Sequence, residues 1–237
     1  MAPRPVGPAD FCPKGACDGS GWILDDNDDA RPCECRSIRI SRARGARMGS
    51  GIPKRFRGIS FDRNPVRELD PLVLREVRSF VDRIDSELDA GEGMWFQGDV
   101  GTGKTSLAML ISKAAQEAGR SAAIYSVPRL LADVKETFEK DTGGSYSDLF
   151  RDLCELDLLQ LDDLGAERRT EWVLEQLYSI VNERWQAKRS IIVTTNLTDL
   201  DELREQVGAR TVSRLTEICG PATVSYTHLT LPTTPYV

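Results

Sequence analysis

GDVGTGKTS, residues 98–106, is the stretch that decides the fold. It matches the pattern G-x-x-x-x-G-K-[ST] and lies between an apolar run and a helical pattern. Glycines in such a loop let backbone N–H groups turn towards phosphates, and the following helix adds its positive N-terminal end. We expect Lys104 to reach the β and γ phosphates of a nucleotide and Thr105 to place its hydroxyl on Mg²⁺. The predicted phosphate-binding residues are Gly98, Asp99, Val100, Gly101, Thr102, Gly103, Lys104, Thr105 and Ser106.

Apolar runs alternate with helical patterns on both sides of this loop. Strands are predicted at residues 94–97, 122–126, 156–161 and 190–195. Helices are predicted at residues 70–90, 104–118, 129–138 and 171–185, the first ended by Gly91 and Gly93. Alternation of this kind predicts an α/β fold in which a parallel sheet lies between helices.

Two carboxylates follow the predicted strand of residues 156–161. Open α/β sheets bind their ligands at the carboxyl ends of the strands. We therefore expect Asp162 to hold Mg²⁺ through water and Asp163 to polarise the attacking water as a general base. The next strand ends at Asn196, whose amide is predicted to bond the γ phosphate or that water. An asparagine after a strand is equally typical of a turn, so this role depends on the other two motifs.

The composition is that of an ordinary globular protein with one main domain. The 237 residues are 40% hydrophobic and 29% charged. The sequence shows neither the run of about 18 apolar residues that a membrane span needs nor an apolar signal segment at its start. We therefore expect a cytoplasmic protein without a membrane partner.

The charge is unevenly distributed along the chain. A net charge of -6 argues against a uniformly basic nucleic-acid binder. Residues 36–57 nevertheless contain basic residues and not one acidic residue. These are Arg36, Arg39, Arg42, Arg44, Arg47, Lys54, Arg55 and Arg57. The run is either a solvated linker or a contact for single-stranded DNA.

Four cysteines mark the N-terminal segment, which is rich in Pro, Gly and Asp and poor in apolar residues. Such a segment needs something other than a hydrophobic core to hold it together. Cys12, Cys17, Cys33 and Cys35 could enclose one Zn²⁺, whereas disulfides are disfavoured in the cytosol. The alternative is four unligated thiols in a flexible tail. Cys154 and Cys219 lie in apolar surroundings and are predicted to be buried packing residues.

The last residues, 224–237, break the pattern of the chain. VSYTHLTLPTTPYV resembles a translated sequencing adapter, so we expect these residues to be non-native and the native sequence to be cut near Thr223. A natural disordered tail is the alternative. His228 is given no role.

Several motifs together resemble the AAA+ ATPases of the DnaC and DnaI helicase-loader type and the transposition helper IstB. They are LDDLGAE at residues 161–167, TTN at 194–196, RTVSRL at 210–215 and GIPKRF at 51–56. The likeness covers residues 52–221. Many AAA+ enzymes carry Glu where this chain has the shorter Asp163, so slow hydrolysis is expected.

The resemblance implies two regions besides the tail at residues 224–237. Residues 51–223 would be the AAA+ ATPase domain, and residues 1–50 a partner-binding module with a basic linker that grips a replicative helicase. By the same resemblance Arg214 is the arginine finger that reaches the γ phosphate in a neighbouring subunit of a self-assembled ring or spiral. The alternative is that Arg210 and Arg214 are surface charges that pair with Glu217 or Glu205.

The leading hypothesis is an ATP-hydrolysing loader that delivers a replicative helicase to DNA. The second is an IstB-like transposition helper, which would share the ATPase core. A small-metabolite kinase is disfavoured because lid arginines and an acceptor pocket are not evident. The last hypothesis is a binding module in which ATP changes the conformation of the protein and hydrolysis is negligible.

Overall fold

The computed structural model describes residues 12, 15–24, 29–33, 35, 36, 39, 40, 43, 45, 48, 51–139, 145–220 and 223–226. The predictions made for residues 1–11, for Arg42, Arg44 and Arg47, and for the tail 227–237 with His228 lie outside these residues. Within the described part, none of the helices combines the length and apolar character that a membrane crossing requires.

A five-stranded parallel sheet forms the centre of the protein, in the order β4-β5-β6-β3-β7. Its strands are β3 (Met94–Gly98), β4 (Ala122–Ser126), β5 (Leu158–Asp162), β6 (Ser190–Thr195) and β7 (Thr223–Tyr226). An antiparallel hairpin, β1 (Trp22–Leu24) with β2 (Ala30–Pro32), lies in the cysteine-rich segment. Because β7 pairs with β3, the first residues of the predicted non-native tail belong to the sheet, and the boundary at residue 223 stays a prediction.

Helices flank this sheet, and the segment that leads into them contains two short 3-10 helices, Lys54–Phe56 and Val66–Glu68. The α-helices are α1 (Pro71–Asp82), α2 (Ile84–Ala90), α3 (Lys104–Glu117), α4 (Val127–Glu139), α5 (Ser145–Glu155), α6 (Glu171–Gln186), α7 (Leu200–Val207) and α8 (Ala209–Cys219). Helices α1 to α3 pack on one face of the sheet and α4 to α8 on the other. The predicted parallel sheet between helices is confirmed.

The sheet is buried on both faces because its strands are apolar on both. In β5, Leu158 joins the cluster beneath α1 to α3, whereas Leu159 and Leu161 join the cluster beneath α4 to α8. Side chains along a strand alternate between faces, so a continuous apolar run suits a central parallel strand. Because the strands are parallel, the carboxyl ends of β3, β5 and β6 lie at the same edge of the sheet.

The prediction of one continuous helix at residues 70–90 is wrong, because the segment forms two helices. Asp70 caps α1 by accepting a bond from the Leu72 amide at 2.7 Å, and the helix ends at Asp82. Arg83 leaves the helical region with φ −111° and ψ 24°, and α2 begins at Ile84. The apolar spacing continues across this break because both helices bury the same face, so the periodicity could not reveal it. Gly91, with φ 80°, ends α2 as predicted.

Other boundaries also differ from the sequence expectations. Strand β5 runs from Leu158 to Asp162 rather than over residues 156–161, and Leu156 is buried in the link between α5 and this strand. No bounds were predicted for the hairpin or for helices α5, α7 and α8, although all three helices are amphipathic.

Candidate nucleotide-binding site

The loop between β3 and α3 depends on glycines with left-handed backbone angles. Gly101 has φ 85° and Gly103 has φ 89°. A Cβ at residue 103 would lie 2.8 Å from Cδ2 of Leu69, closer than ordinary packing permits. The loop can therefore turn its backbone towards a ligand and pass tightly over the segment that contains Leu69.

Lys104 is held at this loop although it carries a charge in a buried position. Its side chain is 5% exposed, and Nζ donates to the carbonyl oxygens of Gly98 at 2.8 Å and Asp99 at 2.7 Å. Burial lowers the pKa of the ammonium, and the nearby charge of Asp163 opposes that change. The ammonium is thus fixed over the loop where phosphates would bind.

Asp162 receives two hydroxyl bonds at the end of β5. Thr105 at the start of α3 donates to Oδ1 at 3.1 Å, and Thr194 of β6 donates to the same oxygen at 2.7 Å. The hydroxyl of Thr105 and the carboxylate of Asp162 are therefore close enough to hold one Mg²⁺ between them, and the Mg²⁺ role of these two residues stays a prediction.

The pKa of Asp162 is raised, chiefly by burial. The hydrogen bonds that the Thr194 and Thr105 hydroxyls donate lower this pKa, whereas the negative charge of Asp163 raises it further. The site is thus an acidic pocket that favours a bound cation, since a cation relieves the cost of the buried negative charge.

Asp163 has an unusual backbone. Its φ of 58° lies in the left-handed region, which non-glycine residues rarely adopt. Its amide donates to the Thr194 hydroxyl at 2.9 Å, which holds the residue in place. Strained residues of this kind cluster at functional sites, which supports a chemical role for the carboxylate of Asp163.

A cavity of about 620 Å³ joins the predicted residues into one site. Its lining includes Lys104, Thr105, Asp163 and the exposed Asn196. The volume is in the range of small-molecule sites. The structure therefore brings together the loop, the second acidic residue and the predicted sensor residue.

The same cavity has a wall that the sequence analysis did not anticipate. Residues between positions 55 and 69 line it: Arg55, Phe56, Gly58, Ile59, Arg63, Asn64, Pro65, Glu68 and Leu69. Thr194 was likewise missed as a site residue. Its position two residues before the predicted sensor Asn196 is a signal in the sequence, but its partners Asp162 and Asp163 come from β5 and the residue that follows it.

The sequence profile of the family described as IstB-like ATP binding protein matches residues 40–214. The chain belongs to this IstB-like family. Its members are P-loop ATPases of the AAA+ class, so the resemblance read from the motifs is confirmed.

Two curated relatives of this IstB-like protein come from Escherichia coli (strain K12). The protein named YdaV is 30% identical over 168 residues, which are 70% of this chain and 65% of YdaV. The replicative helicase loader DnaC is 29% identical over 167 residues, which are 70% of this chain and 66% of DnaC. The match thus spans slightly less than two thirds of either relative.

Solved structures support the same fold for the IstB-like chain. The crystal structure of the DnaC helicase loader superimposes with a TM-score of 0.60 at 25% identity and covers 70% of this chain and 97% of that one. The replication initiator DnaA, bound to AMPPCP and single-stranded DNA, gives 0.59 at 21% identity over 73% of this chain and 50% of that one. The second likeness concerns the fold alone.

Arg214 of the IstB-like chain lies on α8 and is engaged within its own subunit. Its guanidinium stands 3.6 Å from the ring centroid of Trp185, and Nη1 pairs with Glu217 at 2.8 Å. Nε also donates to the Asn182 side chain at 3.3 Å. The pairing with Glu217 is the one that the alternative interpretation anticipated, whereas Arg210 is exposed. The role of Arg214 as an arginine finger stays a prediction.

The four N-terminal cysteines form one cluster. Their Sγ atoms all lie within 4.8 Å of one another, with Cys12 and Cys33 3.7 Å apart and Cys17 and Cys35 3.4 Å apart. A tetrahedral zinc site with Zn–S bonds of about 2.3 Å requires S···S distances of about 3.8 Å. The thiols are free of disulfides, so the geometry fits one tetrathiolate zinc.

The surroundings of this cluster also suit a structural metal. The buried side chains there are Cys12, Cys33 and Cys35, with Cys17 and Ile23 packed against them. So few apolar groups cannot hold a hairpin of two three-residue strands together. By contrast, Cys154 and Cys219 are buried in the large domain, as predicted.

Proposed function

We propose that this chain is an ATP-hydrolysing helicase loader that acts in DNA replication and delivers a replicative helicase to DNA. The cavity lined by Lys104 and Thr105, and the bond from the Thr105 hydroxyl to Asp162, support the ATPase part. The loader part is supported by the similarity to the replicative helicase loader DnaC.

The chemistry follows from the positions of the side chains. The loop amides and Lys104 bind the phosphates. Thr105 and Asp162 hold Mg²⁺, which neutralises negative charge on the phosphates. Asp163 accepts a proton from the attacking water, and Asn196 orients that water or the γ phosphate. The shorter Asp163 reaches less far than a glutamate, so turnover is slow.

An arginine from a neighbouring subunit completes the site in this proposal. Arg214 supplies it once assembly releases the guanidinium from Glu217. Turnover per subunit then rises with protein concentration, because the site is complete in the assembly alone.

The partner-binding module is residues 1–50, followed by the AAA+ domain at residues 51–223. Trp22 and Leu24 lie in β1 on the outer side of the hairpin and are 40% and 66% exposed. Exposed apolar side chains on a small module suit contact with a protein such as a replicative helicase. The basic residues that follow the hairpin suit transient contact with single-stranded DNA.

The ATPase part is tested with Asp163→Asn. We expect this variant to bind ATP with nearly unchanged affinity and to lose turnover at least about 100-fold, as removal of a general base does. Phosphate release and binding of a fluorescent ATP analogue measure the two effects. Unchanged turnover in the variant contradicts the assigned role, and a wild-type chain that binds ATP without turnover indicates a switch instead.

The loader part is tested by capture of the host's replicative helicase with the full chain, with and without ATP. Leu24→Ser is expected to weaken capture, because it removes an exposed apolar contact from the module. Leu72→Ser is the matched control, since Leu72 is 61% exposed on α1 of the other region. Equal capture by both variants rules out the hairpin as the docking surface, and lack of capture by the wild type rules out the loader.

An IstB-like ATP-dependent transposition helper is the second candidate, because the matching family profile is described as IstB-like ATP binding protein. It predicts ATP-dependent association with DNA and a transposase, with no capture of the helicase. The same capture experiment, with a transposase as the second bait, separates the two candidates.

A further inference from the structure

Arg55 is held at a fixed place beside the nucleotide cavity. It belongs to the 3-10 helix Lys54–Phe56, which is closed by a bond from the Phe56 amide to the Pro53 carbonyl at 2.8 Å. Ile52 and Phe56 on either side of it pack against the core beneath α1 to α3. The backbone at Arg55 is therefore anchored although its side chain is exposed.

The guanidinium of Arg55 lies 4.5 Å from the ring centroid of Phe56. Among the described residues it forms no ion pair with a carboxylate, so its N–H donors are available to a ligand. It lines the cavity together with Lys104, Thr105 and Asp163. Lys104, in contrast, already donates to two loop carbonyls.

We propose that Arg55 binds phosphate oxygens of the nucleotide within the same subunit, as a second cation beside Lys104. The planar fork of a guanidinium matches phosphate oxygens, and a charge-assisted contact of this kind is stronger than a neutral hydrogen bond. The inference rests on the proposed nucleotide binding. The competing interpretation is that Arg55 is one of the solvated charges of the basic run.

Arg57 provides a matched control for this proposal. It lies two residues further on, is also exposed and carries the same charge. It lines a different cavity, with Ile52 and Lys113, and not the one that contains the phosphate loop. The two variants Arg55→Gln and Arg57→Gln therefore remove one charge each from the same segment.

The experiment measures ATP, ADP and AMP by competition against a fluorescent ATP analogue, with Mg²⁺ present. Arg55→Gln is expected to weaken ATP binding about 10-fold to 100-fold, the equivalent of one lost hydrogen bond to a charged group. AMP should be affected much less, because it lacks the outer phosphates. Arg57→Gln should change the affinity for ATP by less than about twofold, as an ordinary surface substitution does.

Two outcomes overturn the proposal. An equal loss for ATP and AMP places Arg55 at the part that both share, the α phosphate, ribose or base, and not at the outer phosphates. An equal effect of Arg55→Gln and Arg57→Gln shows a general charge effect. Thermal melts of both variants exclude a folding defect. If the wild-type chain binds none of the nucleotides, the proposed function fails, which is distinguishable from failure of the Arg55 contact.

Discussion

Thr194→Val removes one hydroxyl from the centre of the acidic site and leaves the side-chain shape almost unchanged. Thr194 is fully buried, donates to Asp162 at 2.7 Å and accepts from the Asp163 amide at 2.9 Å. One of these bonds involves an ionised group and the other is neutral, so the loss in unfolding free energy should be about 2 to 4 kcal/mol.

The substitution should also alter how the site binds Mg²⁺. The Thr194 hydroxyl is the leading group that lowers the pKa of Asp162 against burial, so its removal raises that pKa further. Protons and Mg²⁺ compete for the carboxylate. As the pH is lowered, the variant should therefore lose binding of Mg²⁺ with ATP at a higher pH than the wild type does.

Thr195→Val is the matched control for this prediction. Thr195 is equally buried in β6, and its hydroxyl donates to the Leu164 carbonyl at 2.7 Å and accepts from the Leu197 amide at 3.2 Å. Its loss should cost about 1 to 3 kcal/mol, since both bonds are neutral. It should leave the pH dependence of Mg²⁺ binding unchanged.

Urea unfolding and titrations of a fluorescent ATP analogue at several Mg²⁺ concentrations and pH values measure both effects. The reasoning is refuted if the two variants show the same pH dependence, because Thr194 then has no specific influence on Asp162. It is also refuted if Thr194→Val is no less stable than the wild type.

Three further changes have definite expected results. Cys35→Ser should abolish binding of one Zn²⁺ per chain, measured by elemental analysis, while ATP binding persists; a purified wild type without zinc contradicts the site. Asp162→Asn should raise the melting temperature at neutral pH and abolish the Mg²⁺-dependent binding of ATP. Because the folded-state pKa of Asp162 is raised, ionisation destabilises the fold as pH rises through that pKa, and the stability gain should vanish in acid, where both states are protonated. Gly103→Ala and Gly101→Ala should each lower the free energy of unfolding by about 1 to 2 kcal/mol, because alanine is strained in a left-handed conformation. Urea unfolding should show the larger loss for Gly103→Ala, because its Cβ meets Leu69, whereas nothing lies within 4 Å at residue 101.

The sequence by itself determined the nucleotide loop, the class of fold and the two acidic residues at the carboxyl end of β5. These features are local. Glycines at fixed spacing, a lysine before a helix and an apolar run that ends in carboxylates each carry their physical reason within a few neighbouring residues. The cysteine cluster could also be anticipated, because four thiols in a segment without a core have few other structural uses.

The tertiary structure decided the features that depend on distant parts of the chain. Thr194 meets Asp162 from a neighbouring strand, and Arg55 reaches the cavity from a segment that lies about forty residues before the loop. Arg214 is paired with Glu217 and stacked on Trp185, which motif resemblance could not show. Such contacts follow from how the strands and helices pack, and a pattern read along one stretch of sequence contains no information about the side chains that packing brings to it.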